Sequence, residues 1–121
     1  MIFWGKVRKQ NKRGRELGFP TANVNLNKNI PEGIYISKIK LENRIYPALT
    51  FIGKAKTFDE KKFQSETYIL NFNKNIYNKF ISVQLLKKIR ENKKFNSTEE
   101  LISQMKKDEI VARKYFEKKV Y

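Results

Sequence analysis

The apolar residues of this chain recur with a period of two over most of its length and switch to a helical period only near the end. In "TANVNL", Ala22, Val24 and Leu26 fall on one face, as in a strand. Similar short runs stand at residues 2–7 ("IFWGKV"), 34–41 ("IYISKIKL"), 45–53 ("IYPALTFIG"), 66–72 ("ETYILNF") and 79–89 ("KFISVQLLKKI"). Turn signals part them: "IPEG", "ENR" and "NKNIYN", the last with asparagines that tolerate left-handed backbone. Pro47 inside its run predicts an edge strand or a bulge. In "STEELISQMKKDEIVARKYFEKK", Ser97 and Glu100 have the spacing of a capping box. Leu101, Met105, Ala112 and Phe116 then share a helical face, with Ile102 beside them. About six antiparallel strands and one C-terminal α-helix imply a mainly β fold, a small closed or nearly closed barrel whose helix packs on the sheet. The expectation is one domain over residues 1–121.

The chain has neither cysteine nor histidine. Disulfides, thiolate metal sites and histidine-ligated zinc are excluded, and acid–base chemistry falls to carboxylate, lysine or tyrosine. No apolar run approaches a membrane span, and the N-terminus has the reverse order of a signal peptide, so the reading is a cytoplasmic protein. The net charge of +15, from 27 basic and 12 acidic residues, suits anionic partners. It equally suits a composition rich in Lys, Asn, Ile, Tyr and Phe with lysines spread throughout.

Two long polar loops interrupt the strands, at residues 8–20 and 54–65, and loops of that length in a compact domain are often functional. The first contains "RGRELGFPTAN". Gly14 and Gly18 permit close backbone approach, and successive N–H groups around them can form an anion nest beside Lys12, Arg13 and Arg15. Thr21 and Asn23, two apart on one strand face, offer hard oxygen ligands suited to magnesium. The same residues also fit a plain connection whose Thr and Asn satisfy local backbone groups. Glu66 shares a strand face with Tyr68, Leu70 and Phe72. If that face is the core, its carboxylate turns inward at the barrel's mouth, where it can accept a hydroxyl proton; a surface or salt-bridged glutamate is the plainer reading. Arg113 and Phe116 are neighbours on the helix and suit a grip on a flat polar ring, or simply a solvated arginine beside a core phenylalanine.

The ordered landmarks "GKVRKQNKRGRELGFPTANVNL", "PEGIY", "FIGKAKTF", "SETYILNF" and "RENKKF", followed by the helix, resemble the bacterial-type riboflavin kinase (flavokinase) family over essentially the whole chain. The resemblance implies a six-stranded antiparallel Greek-key β-barrel with a C-terminal helix. It implies transfer of the ATP γ-phosphoryl group to the riboflavin 5′-hydroxyl, giving FMN and ADP, with Mg2+. Thr21 and Asn23 would hold magnesium and touch the nucleotide phosphates. Gly14 and Gly18, with Lys6, would line the phosphate flap. Glu66 would be the base, and Arg90, Arg113 and Phe116 would lie on the flavin side. Gln10, Lys56 and Asn78 replace the family's usual glycine, proline and glycine. Bacterial members usually carry an FMN adenylyltransferase domain, and these residues contain no machinery for making FAD. The expected partners are small molecules, with no specific nucleic acid and no membrane, and the expected state is a monomer. Two other readings stay open: a small basic barrel that binds RNA or single-stranded DNA, and a flavin-binding barrel that has lost catalysis.

Overall fold

In the computed structural model, residues 1–8, 21–26, 28–54 and 63–118 are described. They form β1 (Ile2–Lys6), β2 (Ala22–Asn25), β3 (Gly33–Leu41), β4 (Arg44–Lys54), β5 (Phe63–Ile69), β6 (Phe80–Arg90) and the helix α1 (Thr98–Glu117). The sheet order is β1-β6-β3-β4-β5-β2, and every neighbouring pair in it is antiparallel. The connections from β2 to β3 and from β5 to β6 each pass over two strands, which is the Greek-key element of the topology. The edge strands then approach one another. The Arg8 N–H, just past β1, donates to the Asn23 carbonyl of β2 at 2.9 Å. A methyl on Gly5 would lie 2.3 Å from Val24 Cγ1, so only glycine lets β1 come this near β2. The result is a nearly closed six-stranded barrel with one C-terminal helix.

Strand alternation sorts the side chains into two cores. Inside the barrel lie Phe3, Val24, Ile39, Ile52, Ile69, Ile81 and Val83, with Ala22 and the partly buried Leu26 on the same side. The interior also holds polar residues that satisfy one another. Ser37 Oγ and Thr50 Oγ1 are 2.8 Å apart, and Thr50 Oγ1 and Thr67 Oγ1 are 3.0 Å apart. Ser65 Oγ donates to the Val24 carbonyl at 2.9 Å. The second core lies on the outer face of the sheet. There Ile34, Ile36, Leu49 and Leu70 meet Ala112 and Phe116 of α1.

The turns follow their residues. Glu42 and Asn43 both take positive φ (48° and 69°) between β3 and β4, as a two-residue hairpin of matching twist requires. Asn78 takes φ 68°, so it occupies the left-handed region expected of a residue standing in for glycine. Ser97 Oγ caps α1 by accepting from the Glu100 N–H at 3.2 Å. The Glu100 carboxylate accepts from the Asn96 N–H at 3.0 Å, one residue earlier than the reciprocal bond of a capping box.

Pro47 departs from expectation. Its strand β4 lies inside the sheet, and the β3–β4 register passes through Lys38↔Pro47 without a bulge. The missing N–H is tolerated because β5 ends there: paired β5 residues stop at Ile69↔Ala48, and the Pro47 carbonyl accepts from Leu70 N–H in the turn at 2.9 Å. The register shifts fall between β3 and β6 instead, where Leu86 and Ile89 are left without partners on β3 and are packed against the outer core. No helix among the described residues is long and apolar enough to cross a membrane.

Candidate functional site

One transverse row of the sheet gathers much of what the sequence marks out. Asn23 on β2 stands opposite Glu66 on β5, and Glu66 stands opposite Phe51 on β4. Phe51 pairs with Ile34 on β3, and Ile34 with Arg90 on β6. Directly opposite residues on one face hold their Cβ atoms about 4.5–5.5 Å apart, so Asn23 and Glu66 are side-chain neighbours.

The row lies on the outer face, so Glu66 does not take the inward orientation it would have if its face lined the core. Ser65, Thr67 and Ile69 point into the barrel and are buried there. Glu66 and Tyr68 therefore point outward, with Leu70 of the following turn in the core under α1. The inward orientation would have required the apolar Tyr68 and Leu70 to line the lumen. They line the helix-covered face instead, and the lumen accepts Ser65 and Thr67 because their hydroxyls are bonded there. Glu66 is half-buried at this face.

Thr21 is buried immediately before β2, and Asn23 is half-buried within it. Thr21 Oγ1 and Asn23 Oδ1 are both buried and have no hydrogen-bond partner among the described residues. A buried acceptor left alone costs about 1–3 kcal/mol, so such atoms call for a ligand, ion or water. Two hard, neutral oxygens beside a carboxylate strand fit an oxygen-loving cation such as magnesium. Among the described residues no cluster of His, Cys, Asp or Glu is placed to bind a metal by itself.

Lys6 is exposed at the end of β1, its Nζ 6.0 Å from the ring centre of its cross-strand partner Phe80. The Arg8–Asn23 backbone bond sets the exit of β1 beside the Thr21–Asn23 strand. Gly14, Gly18, Gln10 and Lys56 lie outside the described residues.

The helix side is held by two adjacent carboxylates that sequence reasoning missed. Asp108 is buried and faces β6, where Arg90 Nε reaches its two oxygens at 2.9 and 3.1 Å and Nη2 donates at 2.7 Å. Gln104 Nε2 adds a bond of 3.0 Å to the same carboxylate. Glu109 faces β5, accepting from Tyr68 O–H at 3.2 Å and from Arg113 Nη2 at 3.0 Å. Arg113 Nη2 also donates to Asn71 Oδ1 at 3.1 Å. Burial raises the Tyr68 pKa above its ordinary value of 10.0, and the charge and hydrogen bond of Glu109 add to that. Arg90 is thus committed to clamping α1, and Phe116 is enclosed in the outer core with its ring edge on Tyr115. Arg113 remains partly exposed beside the Glu66 strand. Asp108 was legible in part, since it continues the 101–105–112–116 helical stripe. Glu109 carries no such signal.

The Flavokinase (riboflavin kinase) family model matches residues 1–116. The chain is 43% identical over 117 residues to the trifunctional protein RibF/MnmA of Mycoplasmoides gallisepticum, covering 94% of this chain and 18% of that protein. It is 39% identical over 111 residues to the bifunctional riboflavin kinase/FMN adenylyltransferase of Bacillus subtilis, covering 87% of this chain and 35% of that protein. The chain therefore spans well under half the length of these curated relatives. The crystal structure of riboflavin kinase from Trypanosoma brucei superposes with a TM-score of 0.68 at 26% identity, covering 97% of this chain and 80% of that one. The family model matches nearly the whole chain and these relatives share its sequence well above chance, so this chain belongs to the riboflavin kinase family.

Proposed function

We propose that this domain transfers the γ-phosphoryl group of ATP to the 5′-hydroxyl of riboflavin, giving FMN and ADP. The observation that carries the reading is the placement of Asn23, with its unpartnered buried oxygen, directly opposite Glu66. Phosphoryl transfer needs positioning, charge neutralisation and one group to take the alcohol's proton. Glu66 is the group to take it. As the proton moves to the carboxylate, the ribityl 5′-oxygen forms a bond to the γ-phosphorus and the bond to the β–γ bridging oxygen breaks, releasing ADP. Thr21 and Asn23 would hold Mg2+, which supplies neutralisation of phosphate charge when bound. Lys6, with backbone groups around Gly14 and Gly18, attends the phosphates. Arg113 contacts the flavin side, while Arg90 and Phe116 fix the helix that covers it. The partners are the small molecules ATP and riboflavin, with no specific nucleic acid, in a cytoplasmic monomer.

Family membership favours this reading over a nucleic-acid barrel. Incubation with riboflavin, ATP and Mg2+ should produce FMN, detected by chromatography, and FMN supplied instead of riboflavin should produce no FAD. Glu66→Gln should lower turnover by about 10²-fold or more. Near-full activity in that variant would remove Glu66 from the role of base. Flavin binding without any FMN would instead favour a barrel that has lost catalysis.

A further inference from the structure

Among the described residues, three buried side-chain atoms have no hydrogen-bond partner: Thr21 Oγ1, Asn23 Oδ1 and Asn92 Oδ1. The first two belong to the phosphate side proposed above. The third has no role in that scheme and lies just past the end of β6. Asn92 Nδ2 donates to the Ile52 carbonyl at 3.2 Å. A carbonyl only accepts, so the amide must turn its NH2 to Ile52 and its oxygen away. Ile52 is buried inside the barrel, which puts its neighbours Phe51 and Gly53 on the outer face. A methyl built on Gly53 would lie 2.7 Å from Phe51 Cε1 and 3.7 Å from Asn92 Nδ2. The Phe51 ring, the bare Gly53 backbone and the Asn92 amide therefore converge on one spot. Phe51 is the cross-strand partner of Glu66, so this spot is one strand, about 5 Å, from the strand that bears the carboxylate.

We infer that Asn92 Oδ1 accepts a hydrogen bond from a secondary hydroxyl of the substrate's ribityl chain, making Asn92 a residue that selects a polyhydroxylated flavin. The inference rests on the kinase reading and deepens it. An unpaired carbonyl oxygen repels phosphate and takes a donor. With the terminal hydroxyl at Glu66, the next donors along a flavin are the hydroxyls of its chain. The imide N–H lies at the far end of the ring system, beyond a one-strand offset. The Phe51 ring takes the place a side chain would have at Gly53, which sets an apolar ring beside the amide.

The test compares riboflavin with a flavin bearing a 5-hydroxypentyl group at N10, which keeps the reacting hydroxyl and lacks the other three. The unmodified protein should prefer riboflavin in kcat/KM, and Asn92→Leu should shrink that preference about tenfold while leaving the KM for ATP in place. Because the readout is a ratio within one protein, a general loss of folded enzyme cancels. An unchanged preference, or an equal loss on both flavins, would overturn the assignment. If the unmodified protein forms no FMN at all, the kinase reading itself fails. Quenching of flavin fluorescence by the two compounds then still reports whether Asn92 senses the chain hydroxyls.

Discussion

Replacing Asp108 with alanine removes one half of a nearly buried ion pair and leaves the other half in place. The Asp108 side chain is 7% exposed and that of Arg90 18%. Three close N–O contacts from Arg90 and one from Gln104 converge on the carboxylate. Removing one partner of a buried pair costs about 3–5 kcal/mol, mainly because the surviving charge is left without a partner. Arg90 keeps a bond from Nη1 to the Glu91 carbonyl at 3.0 Å and some access to water, which points to the lower end, about 3 kcal/mol. For a chain of 121 residues that is a fall in melting temperature of roughly 10 °C. Urea unfolding followed by circular dichroism measures it, with an unchanged m-value showing that the same surface is exposed. Replacing both partners, Arg90→Met with Asp108→Leu, should recover most of the loss, since an apolar pair of similar volume avoids desolvating either charge. The reasoning is refuted if Asp108→Ala costs less than about 1 kcal/mol, or if the double variant is as unstable as the single one. The double variant also separates two roles of Arg90. Normal stability with a normal KM for riboflavin confines the guanidinium to clamping α1, whereas a raised KM returns it to the flavin.

Gly5→Ala should destabilise by about 1–3 kcal/mol, because its Cβ would press on the buried Val24 at the barrel's closing seam; adding Val24→Ala should relieve part of the loss in denaturant titrations. The Tyr68 phenol has its folded-state pKa raised above 10.0, so its contribution to stability is complete below that value and is lost as pH rises through the raised one. As pH rises through 10.0 and beyond, wild-type protein should therefore lose more stability than Tyr68→Phe, and parallel curves for the two would contradict the assignment. Thr21→Ala and Asn23→Ala should each raise the Mg2+ concentration needed for half-maximal activity; an unchanged magnesium titration would take these oxygens out of the metal's shell.

Much of the fold was readable because its signals are local. Ala22, Val24 and Leu26 share the inner face as their alternation requires, and the stripe Ala112–Phe116 packs on the sheet as its spacing requires. Ser97 caps α1 with its own hydroxyl. What could not be read was which face of β5 is inside. Both faces carry plausible core residues: Tyr68 and Leu70 on one, Ile69 on the other with Ser65 and Thr67. Apolar content alone favours the Tyr68 face as the lumen. The answer depends on the pairing of Thr67 with Thr50, 17 positions away and itself paired with Ser37, and on a helix more than 25 residues downstream. Pro47 fails for the same kind of reason. Its tolerance depends on where a neighbouring strand stops, not on its own strand. The acceptors Thr21 and Asn23 were legible as oxygen donors but not as unpartnered ones. Asn92 was silent, because its meaning comes from the carbonyl of Ile52, 40 positions away in sequence.

These two classes of buried polar group agree with the proposal that the chemistry sits outside the barrel. Inside, Ser37, Thr50, Thr67 and Ser65 spend their hydroxyls on one another and on a backbone carbonyl, among apolar side chains such as Phe3, Ile39 and Ile52. Among the described residues these inner hydroxyls therefore have no unmet hydrogen-bonding demand. Among the described residues the unmet demand is on Thr21, Asn23 and Asn92, and Asn23 and Asn92 stand at the two ends of the row from β2 to β6 that contains Glu66 and Phe51. The helix above that face is fixed from two sides by consecutive residues, Asp108 to β6 and Glu109 to β5. Loosening either carboxylate should tilt α1 over the same row. Helix docking and substrate geometry are therefore coupled, so variants at 108 or 109 that remain folded should raise the KM for riboflavin before that for ATP, whose phosphates are proposed to lie at the far edge, on β2.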